Sequence, residues 1–161
     1  MGDFDRDGKT EIAVAGWDKN LYMWDYDFTF SPGAMLAYAN RVVHEAASGQ
    51  IMMTFFSCVL DFEKMTLTYA NAGHNPPWHF SKNDSGFKLS SLTADGPRVG
   101  ESRDIGPYTE KTVKFSHGDL LFLYTDGLVE GKNTQDEQFG KKRARSLVTG
   151  ALNAGPDGVI E

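Results

Sequence analysis

The sequence contains a single cysteine, Cys58, so no disulfide can form within the chain. A reducing cytoplasm is therefore the simplest location for the protein. The sequence also has no apolar run long enough to span a bilayer, and the residues after Met1 do not form a signal peptide. These absences together predict a cytoplasmic protein.

An excess of basic residues is missing as well. The 16 lysines and arginines are outnumbered by 22 aspartates and glutamates, which gives a net charge of −6. A general nucleic-acid surface needs a basic stripe, so this balance argues against that function. The 161 residues are enough for one domain with a sizeable core.

Residues 1–28 are acidic and differ from the rest of the chain. Their acids have the spacing of a calcium-binding loop, and the candidate side-chain ligands are Asp3, Asp5, Asp7 and Glu11. Gly8 would make the sharp turn, and Lys9 would add its carbonyl. With short strands predicted at residues 12–16 and 21–24, the segment resembles one repeat of the FG-GAP (integrin-like) β-propellers. No second copy follows, and a solvated acidic turn in a hairpin is the alternative.

A helix is predicted to begin at Ser31, because serine is a favoured N-cap and Pro32 suits the first helical position. Apolar residues follow at helical spacing at Met35, Leu36, Ala39, Val42, Val43 and Ala46. This spacing leaves Asn40, Arg41 and His44 largely on the outer face.

The middle of the chain is predicted to be almost entirely strand and turn. Two hairpins are expected, at residues 52–72 and 78–92. A central, buried strand is expected at residues 120–125 and ends at a turn formed by Asp126 and Gly127.

A second helix is predicted at residues 136–152. Its apolar positions are Phe139, Ala144, Leu147, Val148 and Leu152. It also carries a basic cluster, which consists of Lys141, Lys142, Arg143 and Arg145. Such a cluster is usually a solvated face, and phosphate recognition is the alternative.

Two motifs carry a further family resemblance. An Ala-Gly-His-Asn-Pro-Pro turn at residues 72–77 follows a strand, and Gly-Asp at 118–119 precedes Tyr-Thr-Asp-Gly at 124–127. In this order they resemble the metal-dependent protein phosphatase 2C-like (PPM) family, in the bacterial branch named for sporulation stage II protein E. The resemblance covers about residues 31–152. It implies an α+β fold in which helices flank an antiparallel β-sandwich, with residues 29–161 as a phosphatase domain incomplete at both ends.

The resemblance implies hydrolysis of phosphoserine or phosphothreonine esters by water that two Mn²⁺ or Mg²⁺ ions activate. Asp126 would be a metal ligand, and Gly127 would let the backbone approach closely, so both are the candidate catalytic residues. An ordinary turn acid is the alternative for Asp126. His74 is interpreted as structural, because the sequence gives it no paired acid. The implied partner is a phosphorylated regulatory protein of the anti-sigma-factor antagonist type.

Most of the aspartates that the resemblance requires are absent. Arg6 stands where a Gly-Asp-x-x-Asp motif beginning with Asp3 would have its second acid. Asp18 is shifted by one residue from the next expected acid, which turns a strand side chain to the other face. The chain also lacks a Gly-His-Gly motif and a closing Asp-Asp pair. Only Asp126 remains, and one carboxylate cannot hold two hard cations against water.

We therefore expect this chain to hydrolyse phosphoesters weakly or not at all, as a fragment, a fusion or a degenerate domain. The alternatives are a non-catalytic protein-interaction module and a calcium-binding propeller fragment. A makeshift metal site would form if Asp3, Asp5 or Asp7 folded back beside Asp126. The missing strands would leave open sheet edges, which predict pairing or strand exchange with a second copy of the chain.

Overall fold

The computed structural model describes residues 11–15 and 21–25 for their backbone, and residues 31–105 and 107–152 with their side chains. The fold is α+β, with antiparallel sheets and helices, as predicted. The elements are β1 (Glu11–Ala15), β2 (Leu21–Asp25), α1 (Pro32–Ala46), β3 (Phe55–Asp61), β4 (Thr66–Ala72), β5 (Trp78–Asn83), β6 (Gly86–Ser91), β7 (Lys111–Lys114), β8 (Leu120–Phe122), α2 (Asp126–Glu130) and α3 (Gly140–Leu152). None of the helices in these ranges is long and apolar enough to cross a membrane.

Strands β1 and β2 form an antiparallel pair, in which Glu11 pairs with Asp25. The two short strands predicted in this segment are thereby confirmed. The candidate calcium ligands Asp3, Asp5 and Asp7 lie outside the described residues, and only the backbone of Glu11 is described. The calcium loop therefore stays a prediction.

The first of two compact units comprises Met1–Gly73 and Ala94–Lys114. Its three-stranded sheet has the order β3-β4-β7, and α1 packs against β3 and β4. The buried cluster of this unit consists of Leu36, Ala70, Ala72, Val99 and Tyr108. The helical spacing of the apolar side chains in α1 thus delivers Leu36 to the face of β4, as the sequence pattern requires.

The predicted start of α1 is confirmed. Ser31 is the N-cap, and its hydroxyl oxygen accepts a hydrogen bond from the backbone N–H of Ala34 at 3.3 Å. The carboxylate of Glu110 accepts the N–H of Gly33 at 2.8 Å. Two of the backbone donors that a helix N-terminus leaves unpaired are therefore satisfied by side chains.

The second compact unit comprises His74–Thr93 and Phe115–Glu161. Its three-stranded sheet has the order β6-β5-β8. The buried cluster consists of Trp78, Phe80, Tyr124, Val129, Ala144 and Val148. The ring centroids of Trp78, in β5, and Tyr124, which follows β8, lie 4.5 Å apart. This aromatic contact anchors the segment after β8 to β5.

The region around Asp126 differs from its prediction in two ways. The predicted strand is confirmed from Leu120, but it ends at Phe122 instead of residue 125 and lies at the edge of its described sheet instead of its centre. Asp126 and Gly127 do not form a turn; they begin α2, with Thr125 as the extended N-cap residue. Tyr124, which lies between β8 and α2, is buried. Its burial anchors the segment in which the chain leaves the sheet and enters this helix.

Helix α3 begins at Gly140, four residues later than predicted. The expected first turn is instead a loop, in which the side-chain oxygen of Asn133 accepts the N–H groups of residues 135 and 137. Among the predicted apolar positions Ala144 and Val148 are buried, whereas the side chain of Leu147 is 63% exposed. Asparagine competes for backbone hydrogen bonds in this way and so delays the helix.

Asn40 was predicted on the outer face of α1 but is only 1% exposed. Its side-chain oxygen accepts the N–H of Gly100 at 2.7 Å, and its amide nitrogen donates to the carbonyl of Ser102 at 2.8 Å. The Nδ1 atom of His44, one turn later, lies 3.1 Å from the carbonyl oxygen of Gly100. Gly100 has a φ of +87°, and an added Cβ would lie 2.3 Å from the carbonyl oxygen of Ile51. Asn40 therefore holds a loop that only glycine can complete.

Replacement of Asn40 by leucine keeps the side chain's approximate volume but leaves the Gly100 N–H and the Ser102 carbonyl without this partner. We expect Asn40→Leu to lower the free energy of unfolding by about 2–3 kcal/mol in urea denaturation. The matched control is the neighbouring exposed residue, where Arg41→Ala should change stability by less than about 0.5 kcal/mol. Equal stability of the two variants would contradict this role for Asn40.

Candidate functional site

The leading candidate residue, Asp126, is exposed at the first position of α2. Its Oδ1 atom accepts the backbone N–H of Gly127 at 2.9 Å. Tyr124 precedes it and Val129 follows it, and both are buried in the core of the second unit. The core therefore anchors the chain on both sides of Asp126 and leaves its carboxylate accessible to solvent.

Gly127 was predicted to permit a close backbone approach. A Cβ atom added at this position would meet only the hydroxyl oxygen of Thr125, at the ordinary contact distance of 3.5 Å. The described neighbours of Gly127 therefore do not require glycine.

The Gly-His-Asn-Pro-Pro segment contains a local polar contact. Gly73 has a φ of +71°, a conformation that favours glycine. The Nδ1 atom of His74 lies 2.9 Å from the carbonyl oxygen of Asn75. This contact occupies one ring nitrogen with the adjacent backbone, which supports the structural interpretation of His74.

The sequence analysis missed a buried polar cluster that centres on Asp119. The Nε2 atom of His79 lies 2.9 Å from the Oδ2 atom of Asp119, and these two side chains are only 9% and 6% exposed. The same carboxylate accepts the backbone N–H groups of Ser116 and Lys82, each at 2.9 Å. The cluster joins the turn before β8 to strand β5. The spacing from Ser116 to Asp119 fits a side-chain-capped turn and was the one available signal.

The pKa of the Asp119 carboxyl reflects two opposing effects. Burial raises this pKa, but the hydrogen bonds from the Lys82 N–H, the His79 ring and the Ser116 N–H outweigh burial. The pKa consequently lies below its ordinary value. Asp119 is therefore an anion at neutral pH, and the cluster is a fixed structural clamp at the base of β8.

The described residues do not provide the donors for a two-metal centre. In residues 31–105 and 107–152, no three histidine, cysteine, aspartate or glutamate side chains come close enough together to hold a metal ion. Hard cations such as Mn²⁺ and Mg²⁺ need several oxygen ligands, and Asp126 supplies one carboxylate. The other candidate ligands, Asp3, Asp5, Asp7 and Glu11, have no described side chains. Their position relative to Asp126 therefore lies outside what the structure describes.

The family profile of Stage II sporulation protein E (SpoIIE) matches residues 21–161 of this chain. This match covers most of the sequence, so the chain belongs to the SpoIIE family. The resemblance predicted for about residues 31–152 is thereby confirmed. The FG-GAP resemblance gains no support, because the SpoIIE match itself includes residues 21–28.

Two curated relatives align with the chain. Phosphoserine phosphatase RsbU from Bacillus subtilis (strain 168) is 32% identical over 99 residues, which cover 62% of this chain and 29% of RsbU. Protein IcfG from Synechocystis sp. (strain ATCC 27184 / PCC 6803 / Kazusa) is 34% identical over 101 residues, which cover 63% of this chain and 15% of IcfG. The chain thus spans less than a third of the length of either relative.

A solved structure supports the fold. The crystal structure of the RsbU and RsbW domains of Rv1364c from Mycobacterium tuberculosis superposes with a TM-score of 0.51 at 20% sequence identity. The match covers 98% of this chain and 49% of that one. At this level of sequence identity, the similarity is evidence for a shared fold alone.

The clamp around Asp119 predicts an acid-dependent loss of stability. Because the folded pKa is lowered, the stabilisation is complete above the unfolded pKa of about 4 and is lost as the pH falls through the folded value. At pH 7 we expect Asp119→Asn to lower the free energy of unfolding by about 2 kcal/mol, measured by urea denaturation. The difference from wild type should shrink as the pH is lowered below about 4.

The control for this prediction is Asp84→Asn, which changes an exposed carboxyl in the turn between β5 and β6. This variant should be as stable as wild type throughout the pH series. A stability difference for Asp119→Asn that stays constant from pH 7 to the acid range would contradict the ionised clamp.

Proposed function

We propose that this chain is a serine/threonine protein phosphatase domain of the SpoIIE type, whose reaction is hydrolysis of a phosphoprotein ester. The single observation that carries the proposal is the position of Asp126 in a chain of this family. It is exposed at the start of α2, four residues after β8 ends. The curated relative RsbU is a phosphoserine phosphatase, which supports the substrate class.

In this proposal Asp126 is a ligand of Mn²⁺ or Mg²⁺, the ions that the family resemblance implies. Bound ions of this kind acidify water and neutralise phosphate oxygens. The chain's own contribution is to hold one carboxylate at a surface position fixed by Tyr124 and Val129. Because no group of three potential ligand side chains forms among the described residues, we propose that the chain alone is weakly active or inactive.

The absence of a group of three potential metal ligands among the described residues also favours a second candidate function. A domain that keeps this fold without a complete set of metal ligands would act as a non-catalytic protein-interaction module. In either case the proposed partner is a phosphorylated regulatory protein of the anti-sigma-factor antagonist type. The combination of RsbU and RsbW domains in Rv1364c is consistent with a regulatory setting.

Three further predictions from the sequence stay proposals. The first is the division into a segment at residues 1–28 and a domain at residues 29–161. The second is a Ca²⁺ site in the loop of residues 3–11. The third is a homodimer formed by edge-strand pairing or exchange, for which the edge strands of the two three-stranded sheets are the candidate surfaces.

The metal role of Asp126 is tested with Mn²⁺ binding and p-nitrophenyl phosphate hydrolysis. We expect weak Mn²⁺ binding, which Asp126→Asn weakens further by about tenfold or more, because the variant removes the charged ligand. Hydrolysis with Mn²⁺ should stay near the metal-free rate for wild type. Isothermal titration calorimetry measures the first quantity, and absorbance of p-nitrophenolate measures the second.

Asp84→Asn is the control and should bind Mn²⁺ as wild type does, since Asp84 is exposed in the turn between β5 and β6. Equal Mn²⁺ binding by wild type, Asp126→Asn and Asp84→Asn would refute the metal role. Strong Mn²⁺-dependent hydrolysis that only Asp126→Asn abolishes would instead establish that role and disprove the low activity.

A further inference from the structure

Arg145, in α3, lies over the indole ring of Trp78. Its guanidinium carbon, Cζ, is 5.5 Å from the ring centroid, which is within the range of a cation–π contact. Trp78 is only 2% exposed and belongs to the core of the second unit, whereas Arg145 is exposed. A buried ring therefore restrains the guanidinium group of a residue that remains accessible to solvent.

The same contact places Arg145 beside the segment that leads into α2. The ring of Trp78 also contacts the ring of Tyr124, which precedes Asp126 by two residues. Burial raises the pKa of the Tyr124 hydroxyl, and the positive charge of Arg145 acts in the opposite direction, as expected for a guanidinium near this ring. Asp126 shares one side of α2 with Val129, which packs in the buried cluster that includes α3. Arg145 and the candidate metal ligand therefore lie on neighbouring segments.

Arg145 and Lys141 are two neighbouring cations without a carboxylate partner. Lys141 precedes Arg145 by four residues, so their side chains are neighbours on the surface of α3. Neither forms an ion pair within the part of the chain that the structure describes, although the whole chain has a net charge of −6. Like charges at this spacing destabilise a helix by about 0.2–0.5 kcal/mol, and a bound anion would offset their repulsion.

A phosphate monoester matches this pair of cations in charge and in geometry. It carries a charge of about −2 at neutral pH, which one arginine and one lysine would balance. A guanidinium group donates two parallel N–H bonds to two phosphate oxygens, and an ammonium group adds a point charge. Because Trp78 restrains the guanidinium before a ligand arrives, less side-chain freedom is lost on binding. A single carboxylate would leave one of the two positive charges unbalanced.

We propose that Arg145, together with Lys141, binds the phosphoryl group of a phosphorylated serine or threonine in the protein substrate. This inference rests on the proposed function, to which it adds a residue that recognises the phosphate. Arg145 binds the substrate in this role and takes no part in proton transfer or bond cleavage. The contact requires no metal ion, so it serves the non-catalytic interaction module equally well.

The test measures the fluorescence anisotropy of a fluorescein-labelled peptide with one phosphoserine, mixed with the full chain in EDTA. The chelator makes the result independent of the metal role of Asp126. The phosphopeptide should bind at least about tenfold more tightly than the same peptide with unmodified serine, because only the phosphopeptide offers a dianion. Arg145→Met keeps an apolar contact with Trp78 but removes the charge, and should weaken phosphopeptide binding by about tenfold or more. It should leave binding of the serine peptide unchanged.

Arg143→Met is the matched control, because Arg143 lies on the same helix but 3.9 Å from the carboxylate of Glu137, and residues two apart do not share a side of a helix. It should retain wild-type affinity for the phosphopeptide. Equal weakening by both variants, or equal affinity of wild type for the two peptides, would overturn the proposal. If urea denaturation shows that Arg145→Met is unfolded, Arg145→Lys takes its place. This variant keeps the charge without the planar group and should weaken phosphopeptide binding by about threefold or more.

Other sources of phosphate are separate outcomes of the same assay. Inorganic phosphate that competes as strongly, mole for mole, as unlabelled phosphopeptide would assign the site to free phosphate. Binding of phosphatidic acid vesicles without phosphopeptide binding would assign it to a lipid surface, and either result would overturn the proposal. The metal role of Asp126 is judged separately by Mn²⁺ titration. Mn²⁺ binding that does not depend on Asp126, together with phosphopeptide binding that depends on Arg145, would refute that metal role and support this proposal.

Discussion

The arrangement of strands in the second unit depends on the hydrogen bonds that the carboxylate of Asp119 accepts. This carboxylate ties the turn before β8 to β5 through the His79 ring and two backbone N–H groups. Strand β8 has only three residues and one partner strand in the described sheet, so its own ladder provides few hydrogen bonds. The clamp therefore determines where β8 begins, and the aromatic contact of Tyr124 determines where the chain goes after it ends. The position of Asp126 follows from both.

Each unit contains a buried polar side chain that fixes a loop. In the first unit it is Asn40, whose amide holds both Gly100 and Ser102. In the second unit it is Asp119 with its partner His79. Buried polar groups must find partners, so each of them permits only one arrangement of the segments around it. Burial of the apolar clusters stabilises each unit but is not directional. The hydrogen bonds of these polar groups are directional, so they fix how the segments are aligned.

Features that depend on neighbouring residues could be predicted from the sequence. The N-cap at Ser31 and the two hairpins follow from local patterns. The roles of Asn40 and Asp119 could not be predicted, because their partners lie 60 and 40 residues away in sequence. Asn40 was assigned to the outer face of α1 because its side chain is polar. A polar side chain whose hydrogen bonds are satisfied can nevertheless be buried.

The chain also crosses between its two units three times, after Gly73, after Thr93 and after Lys114. Neither unit is therefore encoded by one continuous stretch of the gene. A stop codon after Lys114 would remove β8, α2 and α3 and leave β5 and β6 without most of their apolar cluster. A single recombination crossover with a related gene cannot exchange either unit whole. Variation within such a lineage is therefore expected to accumulate through point substitutions rather than through exchange of units.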